Sequence, residues 1–175
     1  MKNVEIKFRF GRSQKSEEGF VHKENDEDYK NSDFPGGILL KVGDNIVTGN
    51  KERGHQYFGD ELLMEFIAWL GILSVVDGES LKCWRTEGPE FIMFELIDKN
   101  TVMIINYDGY VKKIENSDTV SLTRLVPEII KSGEYLINHA LNINHKLADN
   151  KDIQRFQDLL KKLKEEWKEY QKQLV

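Results

Sequence analysis

The chain has 175 residues, of which 39% are hydrophobic and 10% aromatic, and its formal net charge at pH 7 is -5. This length and composition predict one globular domain with a sizeable core and exclude a disordered chain. The acidic balance argues against a nucleic-acid-binding protein, because phosphate contacts need clustered Lys and Arg. No apolar run reaches the roughly 20 residues that span a bilayer, so no membrane partner is expected.

The N-terminal region opens with strand patterns. Apolar and charged residues alternate from Val4 to Phe10, which is typical of a half-buried strand. Since residues 1–4 lead straight into this alternation, without the apolar segment of a signal peptide, we expect a cytoplasmic protein. Residues 38–42 and 46–48 predict a hairpin around Gly43, Asp44 and Asn45, which tolerate left-handed backbone.

Residues 13–33 lose this alternation and are strongly acidic. Seven acidic residues against three basic ones give the segment a local charge of -4. Aromatic side chains are interspersed among the charges, a mixture suited to docking on a basic, partly apolar surface of a protein. The alternative is a solvated, mobile loop. We therefore predict a partner-binding surface formed by Glu24, Asp26, Glu27, Asp28 and Tyr29.

Between residues 60 and 76 the spacing of the apolar residues changes to that of a helix. Asp60 is the predicted N-cap, and Asp77 with Gly78 is predicted to end the helix. Apolar residues occupy several faces of this helix, so we expect it to be buried against a sheet. Residues 80–86 then predict a strand, in which the length of the following turn decides whether Cys83 or Trp84 faces the core.

The strongest strand patterns lie between residues 91 and 114. An Asp108-Gly109 type I′ turn is predicted to pair Tyr107 with Tyr110, and a two-residue turn at Lys99-Asn100 to pair Leu96 with Met103. A three-residue turn is expected to bring Glu95 among the core side chains, so the two-residue turn is preferred. One face of the sheet then collects Ile92, Phe94, Leu96, Met103, Ile105, Tyr107, Tyr110 and Ile114.

The C-terminal third predicts two helices, near residues 124–145 and 150–173. Pro127 is tolerated in a first turn, which places the start of the first helix near Leu125, and Asn150 is the predicted N-cap of the second. Apolar residues of the last helix recur at spacings of three and four, namely Ile153, Phe156, Leu160, Leu163, Trp167, Tyr170 and Leu174. We expect this seam to pack on the preceding helix as an antiparallel pair within the chain. Pairing between chains is the alternative, so the expected state is a monomer or weak homodimer.

Together these patterns predict an α+β fold, in which an antiparallel sheet packs against helices. The sheet consists of a meander at residues 81–115 plus the N-terminal strands. Residues 1–175 are predicted to form a single domain. Within it, residues 1–120 are mostly sheet with one buried helix at 60–76, and residues 121–175 form a helical hairpin.

No motif indicates a catalytic, cofactor or metal site. Residues 49–54 have the glycine spacing of a P-loop, but His55 and Gln56 stand where Lys and Ser or Thr are needed. His139 and His145 are six residues apart and fall on different faces of a helix, so we expect both to be surface residues near a helix end. Cys83 is interpreted as a small core residue, because the sequence places no activating group beside it.

Glu95 is the most unusual acidic residue, because it stands in an otherwise apolar strand. A solvated or Lys-paired glutamate is the simpler interpretation, and a functional acid with a raised pKa is the other. In composition and general character over the whole chain, rather than in any motif, the sequence resembles the small acidic immunity proteins that bacteria encode beside polymorphic toxins. This resemblance implies a non-catalytic inhibitor that binds a protein partner, one with a basic surface. Two alternatives are a structural or regulatory subunit that pairs through its C-terminal helix, and a hydrolase or transferase with an unrecognised site.

Overall fold

The computed structural model describes residues 2–16, 19–48, 57–59, 61–85 and 88–174, with the backbone alone described for 13–16, 19–22 and 57–59. Two antiparallel sheets and a separate hairpin pack with three helices, which confirms the α+β class. The strands are β1 (Val4–Phe10), β2 (Arg12–Ser16), β3 (Gly19–Lys23), β4 (Gly36–Val42), β5 (Asn45–Ile46), β6 (Tyr57–Gly59), β7 (Leu81–Trp84), β8 (Phe91–Leu96), β9 (Thr101–Asp108) and β10 (Lys113–Ser121). The helices are α1 (Leu62–Ile67), α2 (Leu122–Ile143) and α3 (Lys151–Gln171), with 3₁₀ segments at Asp26–Tyr29, Ala68–Asp77 and His145–Asp149.

Strand β4 is the centre of the first sheet. It pairs with β1 along its whole length, from Val4 opposite Val42 to Phe10 opposite Gly36, and with β5 and β6 on its other edge. Its apolar side chains are buried at alternate positions. The predicted first strand and the hairpin at Gly43 are confirmed; Gly43 has a φ of 60°, in the left-handed region that favours glycine.

The hairpin of β2 and β3 occupies part of the acidic segment that shows no strand pattern in the sequence. Arg12 lies opposite Lys23 and Ser16 opposite Gly19. The chain enters this hairpin through Gly11, whose φ is 90° and whose missing Cβ would lie 2.3 Å from the Lys23 carbonyl carbon. Much of the segment therefore has regular backbone structure rather than being an irregular loop.

The predicted helix at 60–76 is present but changes type along its length. One α-helical stretch, α1, continues as the 3₁₀ segment Ala68–Asp77. The predicted end at Gly78 is confirmed, because this residue is left-handed with a φ of 86° and donates its N–H to the Val75 carbonyl at 3.2 Å. The predicted N-cap, Asp60, lies outside the described residues.

The register of β8 and β9 differs from the prediction by one residue. Leu96 lies opposite Val102, so the predicted pairing with Met103 is wrong. The turn has three residues, because the Asp98 carboxylate accepts the N–H groups of Asn100 at 2.9 Å and Thr101 at 2.8 Å and stabilises a wider loop. The shift brings Val102 and Ile104 to the core face in place of Met103 and Ile105.

The prediction that a three-residue turn would bring Glu95 among the core side chains is also wrong. A slip of one residue moves β9 past β8, but it leaves the facing of the β8 side chains unchanged. Glu95 therefore lies opposite Met103 on the outer face of the sheet, half-buried. Its Oε1 accepts a hydrogen bond of 3.0 Å from the Ser80 hydroxyl, which gives it a structural partner in the neighbouring segment.

The second turn of the meander is wider than the predicted type I′ turn. Tyr107 lies opposite Ile114, not Tyr110, and Asp108 lies opposite Lys113. The Asp108 carboxylate accepts the N–H groups of Tyr110 at 2.8 Å and Val111 at 3.1 Å, which holds a four-residue loop. Gly109 is required there by close packing, since an added Cβ would lie 2.1 Å from the Pro89 carbonyl oxygen.

Helix α2 begins at Leu122, three residues before the predicted start, so Pro127 lies inside it. The start is set by Asn100 in the β8–β9 turn. Its backbone carbonyl accepts the Leu122 N–H at 2.7 Å, and its side-chain Oδ1 accepts the Thr123 N–H at 3.2 Å. Two backbone donors at the helix start are thereby satisfied from a distant turn.

The C-terminal helices pack on each other within the chain, as predicted. Asn150 caps α3 by accepting the N–H groups of Asp152 and Ile153 at 2.8 and 3.3 Å. The seam of α3 from Ile153 to Trp167 is buried, and Gly133 of α2 lets Leu160 approach closely. An added Cβ at Gly133 would lie 3.1 Å from Leu160 Cδ1.

The buried side chains of both sheets and all three helices form one cluster. Aromatic contacts run through it: Phe66 packs edge-on against Phe8 with ring centroids 5.1 Å apart and stacks with Trp69 at 5.5 Å. The sheets are also joined at their edges, where the Asn116 amide of β10 donates to the Ile46 carbonyl of β5 at 2.8 Å. Within the described ranges, none of the helices is both long and apolar enough to traverse a membrane.

Candidate functional site

The predicted acidic surface lies on a short turn with a capped N-terminal end. Residues 24–29, here called the acidic turn, contain the 3₁₀ segment Asp26–Tyr29 behind the N-cap Asn25. The Asn25 Oδ1 accepts the Glu27 N–H at 3.1 Å, and the Asp28 carboxylate accepts the Asn25 N–H at 3.1 Å. This reciprocal capping fixes the backbone of the turn.

The carboxylates of the acidic turn have different surroundings. Asp26 and Glu27 are exposed, and Glu27 forms an ion pair with Lys30. Asp28 is half-buried, because it caps the turn and also lies 3.6 Å from the Arg12 guanidinium. Asp26 and Glu27 are therefore the two acidic side chains of the turn that can meet a partner without breaking its structure.

Tyr29 is not part of the exposed surface. It is 1% exposed, and its ring stacks on Phe34 with centroids 5.0 Å apart. Its carbonyl oxygen accepts a hydrogen bond of 2.8 Å from the Asn144 side chain at the end of α2. Tyr29, which is predicted from the sequence to belong to the contact surface, thus lies in the core and anchors the turn there.

Glu24 links the other end of the turn to α2. Its Oε1 accepts the Tyr29 hydroxyl and lies 2.6 Å from His139 Nε2. The His139 ring stacks on Phe10 with centroids 3.8 Å apart and an interplanar angle of 17°. Burial, together with the hydrogen bond to the Glu24 carboxylate, raises the pKa of Tyr29, so its hydroxyl remains a proton donor to Glu24.

His139 thus differs from the expected surface residue, because it is half-buried where α2 packs against β1 and the acidic turn. His145 is exposed, as expected. The sequence offers no local signal for the His139 contacts, since Glu24 lies 115 residues away along the chain. The clamp formed by Glu24, Tyr29, His139 and Asn144 orients the acidic turn against the fold.

The described residues contain no cluster of three or more His, Cys, Asp and Glu side chains suited to a metal ion. Cys83 is the strand residue that faces the core, and burial raises the pKa of its thiol, which disfavours the reactive thiolate. The glycine-rich loop at 49–54, with His55 and Gln56, lies outside the described residues.

A second surface lies on the outer face of the second sheet. The strand register predicted from the sequence does not reveal it. Trp84, Phe91, Tyr107 and Ile114 lie opposite one another on four successive strands and form one row across the sheet. The rings of Trp84 and Phe91 are 4.6 Å apart, and those of Phe91 and Tyr107 are 4.9 Å apart. Together with Tyr110 and Val111 of the β9–β10 loop, this row is called the outer-sheet surface.

The chain matches no protein-family model, no curated protein and no solved structure.

Proposed function

We propose that the protein is a cytoplasmic, non-catalytic binding protein of the immunity or inhibitor type, which neutralises a toxin or enzyme by covering a basic surface with its acidic turn. The observation that carries the proposal is the pair of adjacent exposed carboxylates, Asp26 and Glu27, on a turn held at both ends. The general resemblance of the chain to small acidic immunity proteins supports the same function.

The clamp matters for affinity because binding a mobile loop costs conformational entropy. Here Glu24 and Tyr29 already fix the turn against α2 in the free protein. A partner would then lose less free energy in ordering the turn, which is the usual benefit of preorganisation. The carboxylates would also accelerate association with a basic partner through long-range attraction.

The alternative of a subunit that pairs through α3 has less support. The seam residues from Ile153 to Trp167 are buried inside the chain, so pairing between copies would have to use other faces of the helix. The alternative of a hydrolase or transferase lacks a matching site among the described residues: Cys83 is buried, and Glu95 accepts a hydrogen bond from Ser80.

The test uses a double charge reversal, Asp26→Lys with Glu27→Lys. Asp28 is left unchanged, because its reversal would remove the cap of the turn and alter the fold as well as the charge. The matched control is Asp158→Lys with Glu165→Lys, which makes the same change in net charge at two exposed positions of α3.

A partner is first recovered from the source cell with the immobilised wild-type protein, and its association with each purified variant is then followed by stopped-flow fluorescence. We expect the reversal in the acidic turn to slow association at low salt by about tenfold or more and to flatten the salt dependence. The control should associate nearly as fast as the wild type. Equal rates for both double variants at low and at physiological salt would exclude the acidic turn from the interface.

A further inference from the structure

We infer that the outer-sheet surface is a second docking site, which takes a protein segment that carries apolar side chains next to carboxylates. The surface concentrates large exposed side chains: Trp84 is 54% exposed, Tyr110 64%, Val111 59% and Ile114 56%. Contiguous apolar patches of this kind are uncommon on soluble proteins without a binding role. Trp and Tyr are also the residues that most often dominate binding energy in protein interfaces.

The side chains of the outer-sheet surface are held in place by contacts with one another and with the adjoining loop. Phe91 lies under Trp84 and Tyr107 in the row, and the Lys82 ammonium lies 5.5 Å from the centre of the Phe91 ring. The Asp108 carboxylate holds the adjoining loop that carries Tyr110 and Val111. The aromatic side chains are thus preorganised on a rigid sheet, which lowers the entropic cost of binding.

The charge around the row identifies the chemistry of the occupant. The charged residues next to the row, among those that the structure describes, are four basic and three acidic: Lys82, Arg85, Lys112, Lys113, Glu90, Asp108 and Glu115. The three acidic side chains are buried or half-buried, since Glu90 pairs with Arg85, Glu115 pairs with Lys113 and Asp108 accepts two backbone N–H groups. Lys82, Lys112 and Lys113 are exposed, so the charges that a partner can contact are positive. A complementary partner segment therefore carries carboxylates beside its apolar residues.

Two other occupants fit less well. A single-stranded nucleic acid needs open ring faces for stacking, but Phe91 is buried and Ile114 and Val111 are aliphatic. A second copy of this chain, docked through the same surface, would bring the exposed lysines of the two copies together. The observations therefore favour a protein segment of opposite charge.

The experiment pans a phage-displayed library of random peptides on the immobilised full-length protein. We expect enriched peptides to combine aromatic or aliphatic residues with Asp or Glu. The Trp84→Ala substitution should weaken their binding by roughly thirtyfold, as truncation of a dominant interface residue does. Ile114→Ala should weaken it less, and Lys82→Glu should reduce both the affinity and its salt dependence. The matched control is Ile97→Ala, since Ile97 is 53% exposed but lies in the distant β8–β9 turn.

Thermal unfolding of each variant first establishes that it is folded, and all four substituted side chains are exposed enough for folding to persist. The inference is overturned if no peptide is enriched, if the enriched peptides are basic, or if Trp84→Ala binds them as tightly as Ile97→Ala does. Binding of a labelled oligothymidine that is lost in Trp84→Ala would assign the surface to nucleic acid instead. Self-association of the wild type that is lost in Trp84→Ala would assign it to a second copy. None of these results depends on the acidic turn.

Discussion

Truncation of Leu163 to alanine tests whether the α3 seam stabilises the single chain. Leu163 is 1% exposed and lies in the middle of the seam that packs inside the fold. The substitution removes three buried carbons, which at about 0.8 kcal/mol each contribute about 2.4 kcal/mol. The unfilled cavity adds to this, so we expect the free energy of unfolding to fall by about 2–5 kcal/mol. For a chain of this size, the melting temperature should fall by about 4–20 °C.

Urea unfolding followed by circular dichroism measures this loss, and light scattering measures the oligomeric state of the same samples. Lys161→Ala, at an exposed position of the same helix, should change stability by no more than about 0.5 kcal/mol. If Leu163→Ala keeps the wild-type stability and only dissociates an oligomer, the seam is used between chains and the packing described above is wrong.

Two further predictions concern titratable groups. Although burial alone would raise it, hydrogen bonds from Lys2, the Thr119 N–H and Asn45 hold the pKa of Asp118 below its usual range. This carboxylate therefore stabilises the fold above its unfolded pKa of about 4, so Asp118→Asn should lower stability near neutral pH. The difference should shrink as the pH falls through the lower folded value, and a pH-independent difference in urea unfolding would contradict the assignment. The buried Cys83 thiol, with its raised pKa, should react with iodoacetamide slowly in the folded protein and rapidly in denaturant; equal rates would show that the thiol is accessible.

The sequence predicts the types of the elements well, because hydrophobic period and end signals agree locally. The end of the helical segment at Gly78 and the cap of α3 at Asn150 are examples. The strand register is less predictable, since both turns of the meander are set by side-chain hydrogen bonds. Asp98 and Asp108 each accept two backbone N–H groups and favour loops longer than two residues. A one-residue difference in turn length then changes which side chains of β9 face the core.

The candidate sites likewise combine features that the local sequence predicts with features that depend on distant contacts. The exposed carboxylates of the acidic turn are evident from local charge, whereas the burial of Tyr29 depends on α2, more than a hundred residues away. The outer-sheet surface is not predicted from the sequence, because the predicted strand register assigns Tyr107 and Ile114 to the core. Once Tyr107 is placed opposite Phe91 and Ile114, the exposed row becomes evident from alternation alone.

The turn between β8 and β9 has a consequence for protein engineering. As a short exposed loop tip, it is the kind of place where peptide tags, inserted domains or new chain termini are usually tolerated. Yet Asn100 caps α2 from this turn, and the Lys99 carbonyl accepts the Tyr170 hydroxyl of α3 at 2.8 Å. Lengthening the turn would separate the sheet from the start of α2 and the end of α3, and loss of the cap alone costs about 0.5–2 kcal/mol. A fusion or circular permutation at this tip would therefore disturb the whole C-terminal half, despite its position at the surface.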